Sequence, residues 1–134
     1  MGSFSPSALK TALVVDDDRD MCWILELALS DLGYAVTTAC SARSAISSAT
    51  DASFPIALVD ARLPDMDGLR LVERLRALRP AMRIVMISGY YLDDDIRIAK
   101  AIRAAHIDAF LAKPFQIDAI IAAVAATNAG ECRL

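Results

Sequence analysis

Five short apolar runs alternate along this chain with segments whose apolar residues recur at helical spacing. After the first run, at 12–15, apolar side chains return every three or four positions from Met21 to Leu32. The other four runs lie at 35–38, 56–59, 84–87 and 109–112. Regular alternation of strand and helix predicts an α/β fold, a doubly wound parallel sheet covered by helices on both faces. Most of the runs are continuously apolar, as is typical of strands buried on both faces.

Glycine, proline and aspartate mark the expected helix ends. Gly33 predicts the end of the first helix and Pro80 the end of the third. We expect a short second helix over 42–49 and a fourth over 92–104. Three aspartates, at 93–95, would lie in the first turn of that fourth helix, where negative charge suits the helix dipole.

The length of 134 residues suits one domain with a buried core. We expect one domain over 1–134, with its core at about 11–127 and flexible ends at 1–10 and 128–134. The net charge of -3 argues against a protein that mainly binds nucleic acid. No apolar stretch approaches the roughly 20 residues that cross a bilayer, so we expect no membrane partner.

The three cysteines, Cys22, Cys40 and Cys132, are widely spaced and odd in number. This pattern suits neither a disulfide framework nor a Cys-x-x-Cys metal site. It predicts reduced thiols in a cytoplasmic protein.

Polar side chains follow the carboxyl ends of the predicted strands, where ligands bind in open α/β sheets. The first strand is followed by the acids 16–18, the third by Asp60, the fourth by Ser88 and the fifth by Lys113. Crowded carboxylates repel one another unless a proton or a cation intervenes. Mg²⁺ would neutralise them, and a carboxylate could then act as a nucleophile and form an aspartyl phosphate, with Lys113 balancing charge.

Each of these residues also has a purely structural interpretation. Asp18 is of a type favoured as a helix N-cap, Ser88 suits a turn and Lys113 suits a surface. Carboxylates at strand ends are common in this fold, so spacing alone leaves the metal site undecided. The combination of all these groups at one sheet edge favours a functional site.

Four motifs resemble those of the receiver domains of two-component response regulators. They are LVVDDD at 13–18, LVDARLPDMDG at 58–68, MISGY at 86–90 and FLAKPF at 110–115. The resemblance covers about 13–124 and implies a flavodoxin-like (βα)5 sheet of order 2-1-3-4-5. Within the family, MCWILELAL and SGY are similar to the nitrogen-regulation type, which usually continues into ATPase and DNA-binding modules. This sequence is compatible with a single-domain receiver and with a fragment of a longer protein.

The resemblance implies Asp60 as the phosphoryl acceptor. It implies Mg²⁺, with Mn²⁺ as a substitute, held by Asp16, Asp17, Asp60 and the main-chain carbonyl of Arg62. Two departures from the family lie after Ser88: a segment longer by about three residues, containing YYLDDD, and Ala-His at 105–106 in place of Ala-Gly. His106 is the only histidine of the sequence and follows a predicted helix, so we expect it to cap the end of that helix.

The resemblance also implies that three residues, Ser88, Lys113 and Phe110, respond to phosphorylation. Ser88 would hydrogen-bond the phosphoryl group, and Lys113 would pair with it across a cis Lys113-Pro114 bond. Phe110 matches the aromatic switch position, although an aromatic ring also suits a core. Because Phe110 lacks a hydroxyl, its switching would work by packing.

The implied function is a signalling switch that takes its phosphoryl group from a sensor histidine kinase or a phosphotransfer protein. Its further expected partners are an output domain or protein and a second copy of the phosphorylated chain, without direct nucleic-acid binding. It would catalyse only its own phosphorylation and dephosphorylation. One alternative, an aspartyl-phosphate phosphohydrolase, usually has an acid two residues after the nucleophile, where this chain has Arg62. The other, a phosphate-independent interaction module, is disfavoured because all the key positions are filled.

Overall fold

A computed structural model describes residues 10–89, 95–104 and 106–131 of the chain, with side chains as far as residue 127. Strands and helices alternate in the order β1 Thr11–Val15, α1 Arg19–Asp31, β2 Ala35–Ala39, α2 Ala42–Asp51, β3 Ile56–Asp60, α3 Gly68–Leu78, β4 Arg83–Ser88, α4 Ile96–Arg103, β5 Ala109–Ala112 and α5 Ile117–Glu131. The predicted alternation is therefore confirmed. None of the helices in these ranges has the length and apolar character needed to cross a membrane.

The strands form one parallel sheet in the order β2-β1-β3-β4-β5. This confirms the α/β class and the implied 2-1-3-4-5 order. The strands end at nearly the same level: Asp60, the last residue of β3, pairs with Ile87, one residue before the end of β4, and the last residues of β4 and β5, Ser88 and Ala112, pair with each other. The carboxyl ends of β1, β3, β4 and β5 therefore meet at one edge of the sheet.

Two apolar layers cover the sheet. Leu13 in β1 packs with α2, α3 and α4 on one face, whereas its neighbour Val14 packs with α1 and α5 on the other. Leu29 of α1 and Leu75 of α3 are fully buried in the two layers. Replacing such a leucine by alanine typically costs about 2–5 kcal/mol, so both layers hold the sheet edge in place.

The helix ends follow the expected chemistry. Asp18 caps α1 by accepting the main-chain N–H of Asp20 at 2.9 Å, so its predicted cap role is confirmed. Gly33 ends that helix with φ of +94°, a conformation that glycine adopts without strain. At the end of α4, the main-chain N–H of His106 donates to the carbonyl of Ala101 at 2.9 Å, as expected of a capping residue.

Helices α4 and α5 differ from their predicted extents. α4 begins at Ile96 rather than at 92, and Asp95 is its N-cap, accepting the N–H of Arg97 at 2.8 Å. A carboxylate that accepts this bond lies just before the helix, so the prediction that Asp95 sits inside the first turn was wrong. Residues 92–94 of the predicted helix, like most of the YYLDDD segment, lie outside the described residues. α5 extends to Glu131, past residue 127, where we expected the core to end and the flexible tail to begin; its alanines favour continued helix.

Candidate functional site

Three carboxylates converge at the sheet edge and are called here the acidic cluster: Asp16, Asp17 and Asp60. Asp16 and Asp17 directly follow β1, and Asp60 is the last residue of β3, the neighbouring strand. One oxygen from each carboxylate lies within 4.8 Å of the others. Asp16 and Asp60 are buried, at 2% and 8% exposure, whereas Asp17 is exposed. This set of oxygens, open on one side, suits a hard divalent cation that keeps some of its waters.

Lys113 reaches the acidic cluster from the end of β5. Its Nζ lies 3.3 Å from Oδ2 of Asp16 and 3.4 Å from Oδ1 of Asp60. Its main-chain N–H donates to the carbonyl of Ser88 at 2.7 Å, and the Lys113-Pro114 bond is cis, as predicted. One ammonium group therefore faces two buried carboxylates.

The pKa values reflect this imbalance of charge. Burial raises the pKa of Asp60 to about 6; the charge of Asp16 adds to the rise, and Lys113 opposes it. Burial likewise raises the pKa of Asp16, against the opposing N–H of Asp18 and the charge of Lys113. Burial alone would lower the pKa of Lys113, but the charges of Asp16 and Asp60 outweigh it and the pKa is raised. A bound cation would favour the ionised form of both carboxylates.

Gly68 allows α3 to begin directly against the end of β3. A Cβ added at this position would lie 2.5 Å from the carbonyl oxygen of Asp60 and 2.6 Å from Cα of Ala61. The N–H of Gly68 donates to the carbonyl of Ala61 at 2.7 Å. A side chain here would therefore push on the backbone that carries Asp60. The sequence shows Gly68 directly after Asp67, but it does not indicate this close approach to the backbone of Asp60.

Asp65 links the loop after Asp60 to the start of α2. Its two carboxylate oxygens accept the main-chain N–H groups of Ala42 at 2.9 Å and Arg43 at 3.0 Å. The bonds from Ala42 and then Arg43 lower the pKa of Asp65. Sequence reasoning missed this contact, since nothing in LPDMDG indicates which distant helix the acid caps.

The other predicted site residues lie close to the cluster or behind it. Ser88 ends β4 and is almost fully buried, at 1% exposure. Phe110 in β5 is half-buried against the apolar layer beneath α2, α3 and α4. Arg62 is exposed and forms an isolated bridge with Asp67. Thus Asp16, Asp17, Asp60 and Lys113 are brought together, while the roles of Ser88, Phe110 and the Arg62 carbonyl stay predictions.

Most of the chain matches one known protein family. Residues 12–125 match the model of the response regulator receiver domain. The chain is 31% identical over 113 residues to the DNA-binding transcriptional regulator NtrC of Klebsiella pneumoniae, an alignment that covers 84% of this chain and 24% of that protein. The chain spans about a quarter of the length of the curated relatives that it matches.

Two solved structures are also similar. The response regulator receiver domain protein (CheY-like) from Methanospirillum hungatei JF-1 superposes with a TM-score of 0.81 at 30% identity, covering 89% of this chain and 93% of that one. A response regulator protein from Burkholderia pseudomallei, with a phosphorylated aspartic acid, calcium ion and citrate, gives a TM-score of 0.73 at 32% identity. That match covers 91% of this chain and 71% of the other.

Proposed function

This chain belongs to the response regulator receiver domain family, and on that premise we propose that it is a phosphorylation switch whose phosphoryl acceptor is Asp60. The observation that carries the proposal is the convergence of the acidic cluster within 4.8 Å, with Nζ of Lys113 3.4 Å from the Asp60 carboxylate. The phosphorylated aspartic acid in the similar Burkholderia pseudomallei protein supports this role.

Phosphoryl transfer would follow from the groups around Asp60. An oxygen of the ionised Asp60 carboxylate attacks the phosphorus of a phosphohistidine, the new O–P bond forms, and the P–N bond breaks. With a pKa of about 6, Asp60 is mostly ionised at neutral pH. Lys113 would then pair with the transferred phosphoryl oxygens, and the buried Ser88 hydroxyl would donate to one of them.

The acidic cluster and the Arg62 carbonyl would hold Mg²⁺, with Mn²⁺ as a substitute. The carboxylate oxygens fit this role, since hard cations take oxygen ligands. When bound, the cation would supply charge neutralisation for the phosphoryl oxygens. Asp16 and Asp17, which are not the nucleophile, serve only as ligands.

The response would travel along the paired strands β4 and β5. Lys113 is joined to Ser88 through its N–H, and Met86 of β4 is paired with Phe110 of β5. A shift of Ser88 and Lys113 towards the phosphoryl group would therefore reach Phe110 and the apolar layer under α4. Because Phe110 has no hydroxyl, this response would be a change in packing.

The partners follow from this role. The phosphoryl donor would be a sensor histidine kinase or a phosphotransfer protein in the cytoplasm, and the receiver would signal to an output domain or protein, or to a second copy of itself. The similarity to a DNA-binding transcriptional regulator supports control of transcription, with nucleic-acid contact left to another module. A phosphohydrolase is disfavoured because the residue two positions after Asp60 is the exposed Arg62, which offers no carboxylate to act as a general acid or base.

Acetyl phosphate as the phosphoryl donor tests this proposal by intact-mass measurement. With Mg²⁺, we expect the chain to gain one phosphoryl group, and EDTA should abolish the gain. Asp60→Asn should gain none, whereas the matched control Asp118→Asn, at an exposed position of α5, should behave as the parent. An equal phosphoryl yield on Asp60→Asn would contradict the assignment, and continuous release of phosphate over many turnovers would favour the phosphohydrolase.

A further inference from the structure

Two cysteines, Cys22 and Cys40, lie beside Asp16. Cys22, in the first turns of α1, is half-buried, and its Sγ donates to the main-chain carbonyl of Asp16 at 3.2 Å. Cys40 directly follows β2 and is exposed. The proposed phosphorylation uses neither thiol.

The pairing of β1 with β2 brings Cys40 next to the residue that Cys22 contacts. Val15 of β1 is paired with Ala39 of β2, and the N–H of Asp16 donates to the carbonyl of Ala39 at 3.0 Å. Cys40, the next residue, therefore lies beside Asp16, whose carbonyl holds the thiol of Cys22. Both cysteines line one surface cavity of about 420 Å³.

The contacts through Asp16 bear on whether the two thiols could join. A disulfide needs its two Cα atoms within about 7 Å, and neighbouring parallel strands lie about 5 Å apart. Cys40 follows the strand pair next to Asp16, and Cys22 is hydrogen-bonded to that same residue, so both cysteines line the wall of one cavity.

We propose that Cys22 and Cys40 form a dithiol site that a peroxide oxidises to an intramolecular disulfide. The peroxide oxidises the exposed Cys40 thiol to a sulfenic acid and is itself reduced to water. The sulfur of Cys22 then attacks the sulfenic sulfur, the S–S bond forms, and the hydroxyl leaves with the thiol proton as a second water. Two thiols thus supply the two electrons that one peroxide takes.

The disulfide would change the geometry of the acidic cluster and so slow phosphorylation. This consequence rests on the proposed function. Forming the disulfide removes the Cys22 S–H from the Asp16 carbonyl and ties the start of α1 to the end of β2. Asp16 would then be displaced relative to Asp60. Groups that position metal ligands typically change activity by about tenfold or more when altered, so we expect phosphorylation by acetyl phosphate to slow by about tenfold in the disulfide form.

The disulfide itself is tested in the full chain carrying Cys132→Ser, which removes the third thiol. After treatment with hydrogen peroxide and alkylation, we expect a mass lower by two hydrogens, a linked peptide containing Cys22 and Cys40, and full reversal by dithiothreitol. The matched variants Cys22→Ser and Cys40→Ser should form no such link. Oxidation that stops at a sulfenic or sulfinic acid, or that gives only disulfide-linked dimers, would overturn the proposal.

Phosphorylation gives the second readout, using acetyl phosphate and Mg²⁺. The oxidised chain should react about tenfold more slowly and recover with dithiothreitol, while peroxide should not slow Cys22→Ser or Cys40→Ser. If the disulfide form and the reduced form were phosphorylated at equal rates, the proposed control of phosphorylation by the disulfide would be wrong. A reduced chain that is never phosphorylated would contradict the proposed function instead, and the linked peptide would still decide whether the dithiol exists.

Discussion

Asp16 and Asp60 are buried carboxylates, and in the described part of the chain they share one ammonium partner, Lys113. Burial disfavours the ionised form of each, and the charge on one disfavours ionisation of the other. Lys113 contacts both at 3.3–3.4 Å but supplies only one positive charge. The fold therefore holds negative charge where it is costly, as expected of a site shaped for a cation and a phosphoryl group.

Replacing Asp60 with asparagine should stabilise the metal-free protein at neutral pH. Because the pKa of Asp60 is about 6 in the folded protein and about 3.9 in an unfolded chain, the folded parent binds more protons, and its stability falls as the pH rises through this window. Asp60→Asn should therefore have a higher free energy of unfolding at about pH 7.5, by on the order of 1–3 kcal/mol. Urea unfolding in EDTA measures the difference, which should shrink as the pH approaches about 4.

A matched exposed variant, Glu26→Gln, controls for the loss of one negative charge and should change stability little. In Mg²⁺ the parent should become more stable than Asp60→Asn, the reverse of the result in EDTA, since a ligand stabilises only the form that binds it. Lower stability of Asp60→Asn than of the parent, in EDTA at about pH 7.5, would count against the buried charge described here.

Asp65 should contribute stability only while it is ionised. Its pKa is lowered by the N–H groups of Ala42 and Arg43, so its contribution is present at neutral pH and is lost as the pH falls through the folded-state pKa. Asp65→Asn places an amide against one of the two N–H donors and should lower the Tm at neutral pH. The gap between parent and variant should close in acid; a gap that stays constant down to acid unfolding would contradict this reasoning.

At the scale of elements, the site depends on how closely α3 approaches the end of β3. Gly68 begins the helix within van der Waals contact of the backbone of Asp60 and Ala61. Asp67 caps the same helix by accepting the N–H of Leu69 at 2.8 Å. The strand that carries the nucleophile and the helix after it are thus fixed to each other at one residue.

Gly68→Ala should disturb both stability and phosphorylation. Its Cβ would lie 2.5–2.7 Å from backbone atoms that cannot rotate away, so we expect a loss of about 1–3 kcal/mol and slower phosphorylation by acetyl phosphate. Gly89→Ala is the matched control for stability, since within the described ranges its Cβ would meet the Lys113 side chain at 3.5 Å or more and no backbone atom. Equal unfolding free energies for the two variants would contradict the close approach.

At the scale of the whole molecule, local pattern predicted the sheet and the edge where the site lies. The positions of strands and helices followed from apolar runs and helical spacing, which reflect burial. Because the carboxyl ends of parallel strands meet at one edge, Asp16, Asp60 and Lys113 could then be placed together from sequence. The start of α4 was misplaced because an N-cap and a first-turn acid have the same composition. The Asp65 cap, the approach of Gly68 and the Cys22 contact were missed, because each depends on the distance between the backbones of separate segments.

The central claim, that Asp60 is the acceptor, is tested most directly by locating the phosphoryl group. Borohydride reduces an acyl phosphate to an alcohol, so treatment after phosphorylation by acetyl phosphate and Mg²⁺ marks the modified carboxylate for peptide sequencing by mass spectrometry. We predict the mark at Asp60 alone, with none at Asp16 or Asp17 and none in EDTA. A mark at either of those two residues, or at any other acid while Asp60 stays unmodified, would contradict the account.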